Sequence, residues 1–82
     1  MDHPNTISLT ELLVDNHATI AAFHIGTSEA TRLVSLGFTP GADVSMTQNY
    51  GSGPLIVTVR GTRVALGRVE AGKILVEQPA NE

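Results

Sequence analysis

After Gly37, no run of the chain exceeds eight residues before a turn signal cuts it. Pro40-Gly41 has the proline-then-glycine pattern of a type II turn. Gly51 to Pro54 makes a loose turn and Gly61-Thr62 a tight one. Val69 to Gly72 has room for a single helical turn. The runs left between these signals are Asp43 to Tyr50, Leu55 to Arg60, Arg63 to Gly67 and Lys73 to Glu77. They are too short for stable helices and rich in β-branched residues, so they predict a meander of short strands. Strands this short, spaced this evenly, describe a small barrel or roll. Alternation along them nominates Val44, Met46, Val57, Val59, Val64, Leu66, Ile74 and Val76 as core.

Helical periodicity is strong over one segment only, Thr27 to Gly37. Thr27 or Ser28 can cap it, and Glu29 falls in the first turn, where the helix dipole favours negative charge. Ala30, Leu33 and Val34 form an apolar stripe with Leu36 beside it, and Gly37 supplies the stop. Leu33 and Leu36 are therefore both expected in the core. Phe38 comes next, and two placements fit it: filling the core or capping an exposed apolar patch.

Ahead of this helix, His17 to Ile25 reads as a strand. Its large apolar residues, Ile20 and Phe23, fall on opposite faces, and a bulge between them would turn both inward. The stretch Ile7 to Leu13 reads as a helical turn, with Ser8 and Glu11 at capping-box spacing and Leu9, Leu12 and Leu13 able to face a core. Asp15-Asn16 breaks that turn. The expected organisation is a flexible arm over 1–7, a single domain over 8–77 and a flexible tail over 78–82. The fold class is mainly β: a small barrel with one inserted short α-helix and a short N-terminal helical turn.

Composition removes whole function classes. Five Lys and Arg stand against eight Asp and Glu, a formal charge of −3, which disfavours nucleic acid and anionic lipid as partners. The three aromatic residues, Phe23, Phe38 and Tyr50, are too few for base stacking or an aromatic peptide groove. The chain has no cysteine, so disulfides, thiolate metal sites and thiol nucleophiles are excluded. No nucleophile elbow, phosphate loop or dinucleotide fingerprint occurs, and no acid–base pair has a spacing that forces it together, so no enzyme is expected. The N-terminus lacks the basic and apolar regions of a secretory signal, and no stretch is long enough to cross a membrane. A cytoplasmic location without membrane insertion follows as the expectation.

Two sets of residues could carry chemistry. The histidines are the available metal ligands, but His17 and His24 lie at opposite ends of one strand and on opposite faces, roughly 20 Å apart. Within one chain they cannot share an ion. A weak site between two molecules, with His3 or an acidic residue completing it, is what the inventory permits. Of the basic residues, Arg60 and Arg63 flank the Gly61-Thr62 turn. They suit either docking of an acidic partner or plain neutralisation of nearby acids.

The segments TRLVSLGFTPGADV (Thr31 to Val44) and GTRVALGRVEAGKILV (Gly61 to Val76) resemble the FeoA family of bacterial ferrous iron transport. The matching positions are Arg32, Leu33, Leu36, Gly37, Pro40, Gly41 and Val44, then Gly61, Ala65, Leu66, Ala71, Ile74 and Val76. The likeness runs from about Ser8 to Val76. Asn16 stands near a position where the family usually has glycine, and Gly67 where it often has a basic residue. The resemblance implies an SH3-like β-barrel and a stand-alone cytoplasmic protein that supports FeoB, the membrane Fe(II) transporter, by contact with its cytoplasmic region. On that basis the candidate contact residues are Glu29, Arg32 and Ser35 on the helix, Phe38 and Pro40 in the turn, and Arg60 and Arg63 on the hairpin. Arg32 could reach solvent, or could pair with Glu29 one turn away. The resemblance implies no required cofactor and leaves room for weak binding of a divalent metal, iron or zinc, and for a weak homo-oligomer. The alternative function is a metal-sensing regulatory domain, because FeoA-type domains also end metal-dependent repressors.

Overall fold

The computed structural model describes residues 5–79. Six strands, β1 (Asn5–Ser8), β2 (His17–Phe23), β3 (Asp43–Gln48), β4 (Leu55–Val59), β5 (Thr62–Leu66) and β6 (Ile74–Gln78), form one sheet in the order β1-β6-β2-β3-β4-β5. Every pairing is antiparallel. The helix α1 (Thr27–Ser35) is inserted between β2 and β3, and α2 (Arg68–Ala71) is a single turn between β5 and β6. The expected mainly-β, SH3-like architecture is the one observed. The ladder is open, with β1 and β5 at its edges.

The strands alternate as predicted. β4 is buried at Leu55, Val57 and Val59, and β3 at Val44 and Met46. With Leu66, Ile74 and Val76 these residues form the core. Val64 is only partly buried and packs against that cluster. The bulge in β2 falls between Ile20 and Ala22, so Ile20 faces Val76 and Phe23 faces Ile74. Ile20 is buried and Phe23 packs on the core, which is how both large side chains of one strand reach the same interior.

α1 ends in a Schellman motif. Gly37, at φ 105°, donates its N–H to the Val34 carbonyl, and the Phe38 N–H donates to the Leu33 carbonyl. Glycine is required at this left-handed position because a Cβ would cost energy and crowd a neighbouring side chain. The motif throws Phe38 back under the helix beside Leu33, and both are fully buried. The two placements open to Phe38 are thus resolved in favour of the core, and it cannot serve as a surface contact residue.

Four expectations at the ends of elements need correction. The 1–7 arm carries a strand from Asn5, because Ile7 packs on the core and the backbone pairs with β6. The tail likewise yields Gln78, which pairs with Asn5, while residues 1–4 and 80–82 lie outside the described residues. Gly26 caps α1, not Thr27 or Ser28, since both of those already have helical geometry. The tight hairpin turn is Arg60-Gly61, one residue earlier than predicted, because Val59 pairs with Thr62. Both turn residues have positive φ, 50° and 78°, as a two-residue type I′ turn demands.

Apolar periodicity also over-assigned the core. Leu36 and Val34 remain partly exposed, so of the α1 stripe only Leu33 is buried. At the N-terminal turn, a 3-10 turn over Leu9–Glu11, Ser8 Oγ accepts from the Thr10 N–H. Leu9 and Leu12 are buried there, but Leu13 is 68% exposed. The break that follows is made by Asp15 at φ 71°, the left-handed position expected of this pair.

Candidate functional site

The predicted contact residues separate into two surfaces. On α1, Arg32 pairs with Glu70 of α2, not with Glu29, which is exposed. The Glu70 side chain is 19% exposed and engaged by the guanidinium. The pair ties the helix to the single turn before β6. Arg32 itself stays 53% exposed, so part of its fork still faces solvent. Ser35 donates its hydroxyl to the Arg32 carbonyl at 2.7 Å and so serves the helix end.

Arg60 does not project from the hairpin tip. Its Nε donates to the Gly37 carbonyl at 3.3 Å and its Nη2 to Thr39 Oγ1 at 2.9 Å. A cation therefore sits just past the C-terminal end of α1, where the helix dipole favours it. These bonds offset the cost of holding a non-glycine residue at positive φ, about 1–2 kcal/mol. They also join three pieces distant in sequence: the end of α1, the exposed Pro40 turn and the β4–β5 hairpin. Arg63 is exposed and has no hydrogen bond or ion pair to another side chain among the described residues.

Asn49 is the residue that sequence reasoning missed. Its Nδ2 donates to the carbonyls of Thr10 and Leu12, at 3.0 and 3.2 Å. Its Oδ1 accepts from the Gly51 N–H at 3.1 Å and from Arg68 Nη2 at 2.9 Å. Arg68 Nε in turn donates to the Gly53 carbonyl. One amide thus clamps the N-terminal turn, the β3–β4 loop and α2. The local half, an Asx turn at Asn49-Tyr50-Gly51, has a sequence signature; the distant half has none. Around the clamp stand three exposed apolar side chains, each next in sequence to a clamp member: Leu13, Tyr50 and Val69.

Asn49→Ala removes all four bonds and strands two carbonyls and a guanidinium. The expected loss is about 2 kcal/mol, a fall in Tm of roughly 10 °C for a domain of this size. Thermal melting followed by circular dichroism checks it, and a melt within a degree or two of the parent would show the clamp to be redundant.

Metal-binding geometry is not assembled among the described residues, where no group of three or more His, Asp or Glu comes together. His17 opens β2 opposite Ser45, and His24 follows the end of that strand. Both are exposed. His3 lies outside the described residues. No described helix is long and apolar enough to cross a membrane.

A six-stranded antiparallel sheet with one inserted helix defines a small SH3-like domain. The chain belongs to the FeoA domain family, whose family model matches residues 7–78. A curated relative from Methanocaldococcus jannaschii, named for Fe(2+) transport protein A, is 38% identical over 52 residues, 63% of this chain. The aligned stretch spans 62% of that relative's length. The zinc-complexed crystal structure of FeoA from Stenotrophomonas maltophilia superposes with a TM-score of 0.76 at 34% identity, covering 87% of this chain and 89% of that one. A manganese-dependent transcriptional repressor matches with a TM-score of 0.84 over 96% of this chain and 45% of its own; at 17% identity that likeness is one of fold alone.

Proposed function

We propose that this chain is an accessory protein of ferrous iron transport that works by contact with the cytoplasmic region of FeoB, the membrane Fe(II) transporter. Membership of the FeoA family across residues 7–78 carries this reading. The contact face comprises Glu29, Arg32 and Ser35 of α1 and the Pro40 turn, with Arg60 and Arg63 of the β4–β5 hairpin as a second, alternative surface. Exposed Val34 and Leu36 add apolar surface to the same helix. The protein resides in the cytoplasm on this reading, and requires no cofactor.

Arg32→Glu tests it. The substitution sets a carboxylate against Glu70, and the exposed pair it breaks is worth at most about 1 kcal/mol, so the fold should survive. Affinity for purified FeoB cytoplasmic domain should fall about tenfold, because a guanidinium that forks to a partner carboxylate is replaced by a like charge. Glu70→Gln serves as the control: it frees Arg32 without removing it, and binding should persist. A folded Arg32→Glu protein with unchanged affinity would move the docking face to the Arg60–Arg63 hairpin.

A second reading draws on the zinc carried by the Stenotrophomonas FeoA. In it, a divalent ion held between two copies, with His17, His24 or His3 as ligands, makes the domain a metal-responsive regulator. Metal titration followed by sedimentation separates the two, since only the second reading requires metal-dependent association.

A further inference from the structure

The free edge of the sheet at β5 is a place where another strand can pair, and its surroundings carry one sign of charge. The Arg60-Gly61 turn makes Val59 and Thr62 the first hydrogen-bonded pair of the hairpin. Antiparallel pairs alternate, so Val64 and Leu66 also direct their backbone groups toward β4. Arg63 and Ala65 must then turn their N–H and C=O groups outward, away from β4. No backbone partner meets them among the described residues. Both side chains are exposed on the outer face of the sheet, while Val64 and Leu66 face inward.

Charge tells what would fit there. The chain carries −3 overall, yet residues 44–69 contain three arginines, Arg60, Arg63 and Arg68, and no Asp or Glu. That stretch holds all of β4 and β5 and the loops at their ends. The remaining residues hold two basic and eight acidic groups, so the rest of the molecule carries −6. Arg60 and Arg68 are engaged by the protein's own carbonyl and side-chain oxygens, while the guanidinium of Arg63, on the open edge, has no partner among the described residues. The other edge differs: β1 has no basic residue and lies beside Glu77 of β6.

We infer that β5 accepts an extended acidic segment of a partner protein as an added strand, with a carboxylate lying across from Arg63. Main-chain bonds to Arg63 and Ala65 supply the pairing, and the arginine selects the sequence. A second copy of this chain is the poorer occupant, because β5 against β5 brings Arg63 close to its own counterpart. The inference supplies a chemistry for the Arg63 part of the surface proposed above. Its test uses peptides, so it can fail while the transporter reading stands, and the reverse.

The probe is a short synthetic peptide of alternating valine and glutamate, compared with its valine–glutamine counterpart, titrated into the isotopically labelled full chain. The acidic peptide should shift the Arg63 and Ala65 amides and slow their hydrogen exchange. Binding should be about fivefold weaker for the glutamine peptide and for Arg63→Glu, as a few cross-strand charge pairs would give. Ala65→Pro should abolish it, since proline removes an outward N–H that the protein's own ladder does not use. Should Ala65→Pro fail to fold, the glutamine peptide and Arg63→Glu still decide the matter. Equal binding of the two peptides, no binding, shifts centred elsewhere, or protection of Ala65 by self-association without peptide would each overturn the inference.

Discussion

Phe38→Ala is expected to remove about 4 kcal/mol of stability, the size seen for deleting a fully enclosed phenyl ring. Phe38 is fully buried and is the largest side chain of the core. Its N–H closes the Schellman motif on Leu33, so the backbone turn that ends α1 and the ring that anchors the helix are one unit. Truncation leaves a cavity that a short helix, held at both ends by other bonds, cannot collapse to fill. A domain of 82 residues has a total stability of roughly 4–12 kcal/mol, so the variant loses between about a third and all of it. Urea unfolding checks this, with Phe38→Leu as a milder companion expected to lose less than about 2 kcal/mol. A Phe38→Ala protein as stable as the parent would mean that α1 is not anchored through this ring. Loss of partner binding in such a variant says nothing about an interface, because the side chain never reaches the surface.

The second large effect separates two leucines that the sequence treats alike. Leu33→Ala should cost about 3 kcal/mol and Leu36→Ala less than about 1 kcal/mol, measured by the same unfolding curves. Leu33 is fully buried, whereas Leu36 is 37% exposed and serves as the residue that terminates the helix. Of the nine residues of the helix only Leu33 is buried, so the helix is anchored through a single enclosed position. Equal losses at the two sites would show that α1 sits lower on the sheet than the structure places it. Leu36→Ala is then also a clean surface probe: it removes apolar area from the proposed contact face without unfolding the protein.

Legibility followed the range of the interactions. The helix stop at Gly37, the Pro40-Gly41 turn, the bulge in β2 and the β3, β4 and β6 core alternation were all readable, because each depends on a few consecutive residues. The Arg60-Gly61 turn was misplaced by one residue, since a non-glycine at positive φ is disfavoured locally and is held there by bonds to Gly37 and Thr39, more than twenty positions away. Arg32 shows the same limit. Helical spacing offered it Glu29, and the fold supplied Glu70, 38 positions along the chain.

The sequence alone determined that this chain forms short antiparallel strands around one inserted helix, and its residue pattern sufficed to mark the family. Turn chemistry and two-residue alternation are local, and they admit few other folds. Tertiary structure alone decided which helix face is enclosed, that Asn5–Ser8 becomes an edge strand, that Asn49 clamps three segments, and that β5 lies at an edge of the sheet with Arg63 exposed on it. Each of those depends on groups brought together only when the sheet assembles, and a linear pattern carries no term for the separation between them.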